Sequence, residues 1–220
     1  YLRDDLGFGY RSQSKLSIGD IRGLLDACGQ KGLLVVDTNV ALQEIDLLEF
    51  DSEETKSAFS VVVVLETVLK EVKHLNLSAY RRLKALLENE SKQYIFFPNE
   101  VCGVTRVEKQ SEESINDAND RAIRVASIYY KDALGDSHDV IMLTKDKDNK
   151  RKAGESELSA MSVREYLNSI GGSKRFPQLN ERLTSDGSSG SMAKMSVEYP
   201  SHLAVEEINE CIRNGKLFKG

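Results

Sequence analysis

Four acidic residues follow short apolar runs, and together they could hold a divalent cation. They are Asp37 in LLVVDTN, Glu71 in VLKEV, Asp120 in NDANDRA and Asp146 in VIMLTKD. If the runs are strands of one parallel sheet, the acids meet outside the carboxyl ends of the strands, where α/β sheets bind ligands. Crowded carboxylates repel one another unless a cation joins them, and carboxylate oxygens suit Mg²⁺ or Mn²⁺. A metal in an acidic pocket indicates phosphate chemistry.

The residues alone leave three of these assignments open. Glu71 competes with Glu66, which follows the valine run directly and could complement a helix dipole. The two are five residues apart, so they cannot both face one pocket. Asp120 competes with Asp117, three residues earlier, because either could cap or flank the start of the predicted helix. Asp37 could be a simple N-cap, and only its combination with the other acids favours a metal ligand.

Polar and basic neighbours could support such a site. The two residues after the first acid could hydrogen-bond to it, and an arginine next to the third acid could pair with a carboxylate or a phosphate. The run TKDKDNKRK after the fourth strand supplies a second acid and the best basic patch, which could steer RNA phosphates. The supporting residues are Thr38, Asn39, Arg121, Lys145 and Asp148.

The elements that must position these residues alternate between strand and helix patterns. This alternation predicts an α/β fold, with a parallel sheet and helices on both faces. Strands are expected at Leu33–Val36, Val61–Leu65, Tyr94–Phe97, Val140–Leu143 and around Ala160–Ser162. Helices are expected at residues 18–27, after the second strand, around 80–87, at 119–134 and at 163–170. The acidic insertion FDSEETKSAFS before the second strand is expected to be a solvent loop.

Composition limits the possible partners and metals. The net charge is −5, whereas proteins that bind nucleic acid through their own charge are usually basic, so metal ions or local patches would have to hold a polyanion. Three cysteines, Cys28, Cys102 and Cys211, form no C-x-x-C pair, which counts against zinc and against a disulfide framework. The longest apolar run is too short to span a bilayer, so no membrane partner is predicted. The chain begins at Tyr1, and we expect it to be a piece of a longer protein.

The order VVDTN, E, NDxxDRA and TxD resembles that of PIN domains, a family of metal-dependent ribonucleases. Longer stretches resemble the N-terminal region of the RNase II-like exoribonuclease subunit of the eukaryotic RNA exosome. These stretches are YLRDD at 1–5, VVDTNVALQEIDLLE at 35–49, VLKEV at 68–72, INDANDRAIRVA at 115–126 and NGKLFKG at 214–220. The resemblance implies a PIN-like three-layer fold with N- and C-terminal extensions. It divides the chain into an N-terminal arm (1–31), a PIN nuclease domain (32–170) and a C-terminal linker (171–220) leading toward a cold-shock-like RNA-binding domain.

The same resemblance implies an endoribonuclease specific for single-stranded RNA. One or two Mn²⁺ or Mg²⁺ ions would be held by Asp37, Glu71, Asp120 and Asp146, which decides the open choices in favour of Glu71 and Asp120. It also implies nuclear, nucleolar and cytoplasmic location, while self-association is left undecided.

Docking on the exosome core ring is a further implication of the resemblance. Many relatives support docking with a cysteine triplet before the first catalytic aspartate, where this chain has only Cys28. That departure counts against docking in the usual manner. The alternative to the enzyme is a non-catalytic docking module with a vestigial pocket. A pure scaffold has no need of four carboxylates, which favours the nuclease.

Overall fold

A five-stranded parallel sheet organises the described part of the chain. The computed structural model describes residues 16–29 and 32–188, so the YLRDD and NGKLFKG motifs and Cys211 lie outside the described residues. The strands are β1 (Gly32–Val36), β2 (Val61–Leu65), β3 (Gln93–Phe97), β4 (Asp139–Leu143) and β5 (Ser159–Met161). Their order is β3-β2-β1-β4-β5, and every neighbouring pair is parallel. The predicted α/β class and parallel sheet are confirmed.

The strand order creates a switch point between β1 and β4. The chain winds outward from β1 through β2 to β3 and then returns to the other side of β1 to form β4 and β5. In open α/β sheets, ligands bind outside the carboxyl ends of the strands at such a point. Candidate functional side chains are therefore expected just after β1 and β4.

Helices flank the sheet and cover its central strands. They are α1 (Ile18–Cys28), α2 (Thr38–Gln43), α3 (Ile45–Glu49), α4 (Glu53–Ala58), α5 (Glu66–Leu75), α6 (Leu77–Glu88), α7 (Ile115–Leu134), α8 (Lys147–Glu155), α9 (Val163–Ser169), α10 (Gly172–Arg175) and α11 (Pro177–Ser188). All five residues of β1 and all five of β2 are buried, as expected for parallel strands covered on both faces. None of the helices in residues 16–29 and 32–188 has the length and apolarity needed to cross a bilayer.

Helix α7 begins earlier than the sequence predicts. Its N-cap is Ser114, whose hydroxyl oxygen accepts the Asp117 N–H at 3.0 Å. The helix start expected at residue 119 and the caps considered there, Asp117 and Asp120, are therefore wrong, because the serine satisfies a free N–H of the first turn. Asp120 consequently lies in the second turn.

The acidic insertion before β2 is folded, which corrects the expected solvent loop. Ser52 caps α4 by accepting the Thr55 N–H at 3.1 Å. Phe59 is buried with its ring centroid 6.0 Å from that of Tyr166, and the Tyr166 hydroxyl donates to the Ala58 carbonyl at 2.7 Å. The apolar end of the insertion thus anchors it to α9.

The described chain beyond residue 170 continues the same core. Phe176, Leu179 and Leu183 are buried in the cluster that contains the strand residues. Gly171, between α9 and α10, adopts φ +132, a backbone conformation that residues other than glycine rarely adopt.

Candidate active site

Asp37 lies at the centre of the candidate site, directly after β1. It is the N-cap of α2 and is 1% exposed. Its carboxylate accepts the Thr38 N–H at 2.6 Å, the Asn39 amide at 2.8 Å and the Thr144 hydroxyl. Its backbone N–H donates to the Leu143 carbonyl at 3.0 Å, which continues the pairing of β1 with β4. These bonds fix the carboxylate at the switch point.

Glu71 reaches this site through a hydroxyl of α2. The Thr38 hydroxyl donates to Glu71 Oε2 at 2.7 Å. Glu66, the competing acid, instead pairs with Lys70 at 2.8 Å on the same helix. The structure therefore brings Glu71 next to Asp37 and turns Glu66 toward a lysine.

Asp146 is placed by the turn between β4 and α8. It is the N-cap of α8 and accepts the N–H groups of Asp148 at 2.7 Å and Asn149 at 2.9 Å. Its own N–H donates to the Thr144 hydroxyl oxygen at 3.1 Å. Thr144 therefore contacts both Asp37 and Asp146, although the sequence analysis gave it no role. Its position as the first polar residue after an apolar strand was the available signal.

Asp120 completes the group, because the other three acids lie close enough to act on its charge. Burial first, and then the negative charges of Asp37, Asp146 and Glu71, raise its pKa from 3.8 to about 7, while Arg124 acts in the opposite direction. Burial also raises the pKa of Asp37 and outweighs the hydrogen bonds that favour its ionised form. A cation near these acids would favour their ionised forms.

Arg124 and Asn149 link α7 and α8 to the site and were missed by the sequence analysis. Arg124 lies one turn after Asp120, and its guanidinium donates to Asn149 Oδ1. Asn149 is fully buried, and its amide donates to Asp37 Oδ2 at 3.3 Å. Spacing was the available signal, since residues four apart on a helix share a face.

Among the predicted supporting residues, Asn39 and Lys145 lie at the rim of the site. The Lys145 N–H donates to Asn39 Oδ1 at 2.8 Å. The Lys145 ammonium pairs with Glu44 and donates to Gln43 Oε1 at 3.1 Å. The end of α2 thus holds this lysine beside the acids.

Arg121 is engaged away from the acids. Its guanidinium pairs with Glu113 at 2.6 Å and donates to the Glu108 carbonyl at 3.0 Å. It therefore ties the start of α7 to the loop that precedes it.

Asp148 and the predicted basic patch largely neutralise one another on α8. Asp148 pairs with Arg151 at 2.8 Å and with Lys152 at 2.7 Å, and these bonds lower its pKa to about 2. Lys150 pairs with Glu165 at 2.6 Å. The patch is consequently a weaker attractor of RNA phosphates than its sequence predicts.

The donor chemistry fits a hard divalent cation, although the acids are not closed around one. Within the described residues, no three acidic, histidine or cysteine side chains are positioned to hold one metal ion together. The interacting groups are all oxygen donors, and Asp120 is too crowded to ionise fully at neutral pH. Mg²⁺ usually keeps several waters and binds through one or two carboxylates plus substrate phosphates. An open set of electrostatically coupled carboxylates is compatible with that mode of binding.

Comparisons with known proteins show which family this fold resembles. The model of the PIN domain family matches residues 34–164. The chain is 37% identical over its whole length to the exosome complex exonuclease RRP44 homolog A of Arabidopsis thaliana, and 32% identical over its whole length to human exosome complex exonuclease RRP44. It spans about a quarter of the length of these relatives. The solved structure of the Trypanosoma brucei RRP44 PIN domain is similar with a TM-score of 0.54 and 28% identity, over 63% of this chain and 78% of that one.

Proposed function

The chain belongs to the PIN domain family, and we propose that it is a metal-dependent endoribonuclease that hydrolyses single-stranded RNA. The observation that carries the proposal is the convergence of acids at the switch point of the sheet, where Thr38 links Asp37 to Glu71 and Thr144 links it to the Asp146 turn. Burial and the charges of these three acids also raise the pKa of Asp120 to about 7. Such crowding costs stability unless a cation compensates it. Perturbed acids of this kind mark functional sites.

The proposed ligands are Asp37, Glu71, Asp120 and Asp146, and the proposed cofactor is Mn²⁺ or Mg²⁺. When bound, the metal would supply Lewis-acid stabilisation of the phosphoryl oxygens. The protein's own part is orientation. Thr38 fixes the Glu71 carboxylate and Thr144 bridges Asp37 to the backbone of the Asp146 turn. With a pKa near 7, Asp120 can hold a proton on its carboxylate until a cation displaces it.

We also propose that this chain acts as part of an exosome-associated nuclease. The Arabidopsis and human relatives, which match over the whole of this chain, are exosome complex exonucleases by name. Nuclear, nucleolar and cytoplasmic location and contact with the core ring are proposed on that similarity alone. Cys28, the cysteine nearest the expected docking segment, is exposed and free.

The Asp37→Asn variant tests the nuclease proposal on a circular single-stranded RNA with Mn²⁺, because a circle has no end for an exonuclease. Losing one ionised ligand should slow cleavage by at least about 100-fold, a loss comparable to that of other preorganised electrostatic groups. The matched control is Asp132→Asn, which makes the same change at an exposed position of α7 and should cleave normally. Circular dichroism checks that both variants fold. Undiminished cleavage by folded Asp37→Asn protein would refute the assignment.

A further inference from the structure

A cavity of about 480 Å³ is lined by none of the four acids and is not used by the chemistry described above. Its walls come from α5, α7 and the segment at residues 98–114 that joins β3 to α7. Thr67 in its wall lies one helical turn before Glu71, and Asn119 immediately precedes Asp120. The cavity therefore shares two helices with two of the four acids. Its volume is in the range of ~300–1,000 Å³ typical of small-ligand sites.

The lining combines apolar surface with an available amide and a guanidinium. Ile115 is 68% exposed at the cavity, and Ala118 and Ala122 extend the apolar wall along α7. The Asn119 amide, also in the lining, makes no hydrogen bond to any residue that the structure describes. Arg106 stands in the exposed segment with one guanidinium nitrogen 3.3 Å from Glu108. The cavity thus offers both a face for stacking and a free hydrogen-bonding group.

This chemistry suits a nucleobase better than a phosphate. The lining contains two cationic side chains, Arg106 and Lys109, and two acids, Glu100 and Glu108, so its formal charges sum to zero and do not favour a phosphate. A base has two apolar faces and a polar edge. Proteins that bind single-stranded RNA stack bases on aromatic or guanidinium planes and hydrogen-bond to the edges. Arg106 can supply the plane and Asn119 the edge contact.

We propose that this cavity binds one base of single-stranded RNA next to the phosphate that is cleaved. The inference rests on the proposed function, because the position of the base is defined relative to the acids. It adds that affinity for RNA comes partly from a base subsite between α5 and α7. Base contacts would also help a chain of net charge −5 to retain RNA, because stacking and edge contacts do not require a positively charged surface.

The test measures binding of short fluorescent RNAs to the Asp37→Asn protein by fluorescence anisotropy, so that cleavage does not interfere. One RNA is intact, and a set of others each lacks a single base. Removing the base that occupies the cavity should weaken binding about tenfold, as expected for one lost base contact. In Asn119→Leu, and independently in the exposed variant Arg106→Ala, the intact RNA should bind about tenfold more weakly and the effect of that missing base should disappear. Arg81→Ala, an exposed arginine on α6, controls for general loss of charge.

The outcomes separate this inference from the proposed function. If the wild type cleaves the circular RNA but no base removal weakens binding, the nuclease proposal stands and the base subsite is overturned. If the penalty of the missing base persists in both cavity variants, the base binds elsewhere and the inference is also overturned. Loss of the penalty in both variants, with Arg81→Ala unchanged, supports it. Absence of cleavage together with base-dependent binding would count against the proposed function alone.

Discussion

Removing one of the crowded charges should stabilise the metal-free protein while it impairs the proposed cleavage of RNA. In the folded state the pKa of Asp120 is raised from 3.8 to about 7, so its ionised form opposes folding. Asp120 contributes its full stabilisation below its pKa in the unfolded chain, near 4. That stabilisation is lost as the pH rises through its folded-state pKa of about 7. Asp120→Asn cannot ionise and escapes this loss.

The size of the effect follows from the same shift. The change of roughly three pKa units corresponds to ~4 kcal/mol. Because Asp120 is only half buried, solvent screening reduces this to ~2 kcal/mol. Near pH 8 the Asp120→Asn variant should therefore unfold with a free energy ~2 kcal/mol above that of the wild type. Near pH 5, only about one pH unit above the pKa of the unfolded chain, the ionisation of Asp120 opposes folding much less. The gain in unfolding free energy should therefore be less than half as large.

Urea denaturation with EDTA at the two pH values measures the gain. The exposed change Asp132→Asn on the same helix is the control, and it should alter the unfolding free energy by less than ~0.5 kcal/mol. Adding Mn²⁺ should stabilise the wild type more than the variant, because the wild type keeps the better site for the ion. An equal gain at both pH values, or a loss of stability near pH 8, would show that burial and the neighbouring carboxylates do not raise the pKa of Asp120 as argued.

Three further changes test the positioning of the site and of the fold. Thr38→Val removes the hydroxyl that donates to Glu71 at 2.7 Å. It should slow Mn²⁺-dependent cleavage about tenfold, as expected for a lost hydrogen bond to a charged group. Thr38→Ser keeps a hydroxyl and should cleave normally, so equal cleavage rates for the two variants would argue against this role. Lys92→Met removes an ammonium that donates to backbone carbonyls at the end of α3 at 2.8 and 2.9 Å, and should lower the unfolding free energy in urea by ~2 kcal/mol, unlike Lys84→Met on the more exposed α6 surface. Gly171→Ala would bring a methyl group within 2.7 Å of a side-chain carbon at φ +132 and should lower the melting temperature with the cleavage rate kept; an unchanged melting temperature would mean that the chain relaxes there at no cost.

The sheet could be predicted from the sequence because buried strands leave a strong record. The run Val61–Leu65 has no polar residue, and the structure buries all five side chains. The order of the strands could not be predicted, because hydrophobic periodicity indicates which residues are buried and not which strands are neighbours. Leu75 shows the limit of periodicity at an element's end: it continues the apolar stripe of α5 but is 58% exposed, because the helix stops there.

Helix α8 was not predicted from the sequence, because its residues are mostly charged. The run after β4 looks like a solvated turn, and only Asn149 and Ala153 of the helix are buried. Ion pairs three and four residues apart support it instead, including those of Asp148 with Arg151 and Lys152. Arg121 was assigned to the site because its neighbour in the sequence is a candidate ligand. That reasoning failed because residues adjacent in a helix point in different directions. Its partner, Glu113, lies in the preceding loop.

In this fold, Asp37 can be a helix cap and a candidate metal ligand at the same time. Where a strand leads directly into a helix, the cap position lies at the carboxyl edge of the sheet, so one carboxylate can serve both purposes. Asp37 and Asp146 both occupy such positions, where helix N–H groups offset part of their negative charge. Asp120, in the second turn of α7, accepts no such bond from any residue that the structure describes, and its burial and its acidic neighbours raise its pKa to about 7. Backbone N–H groups thus offset part of the charge on two of the acids, although burial still raises the pKa of Asp37. Asp120 lacks this help, so an added cation is expected to favour its ionised form most.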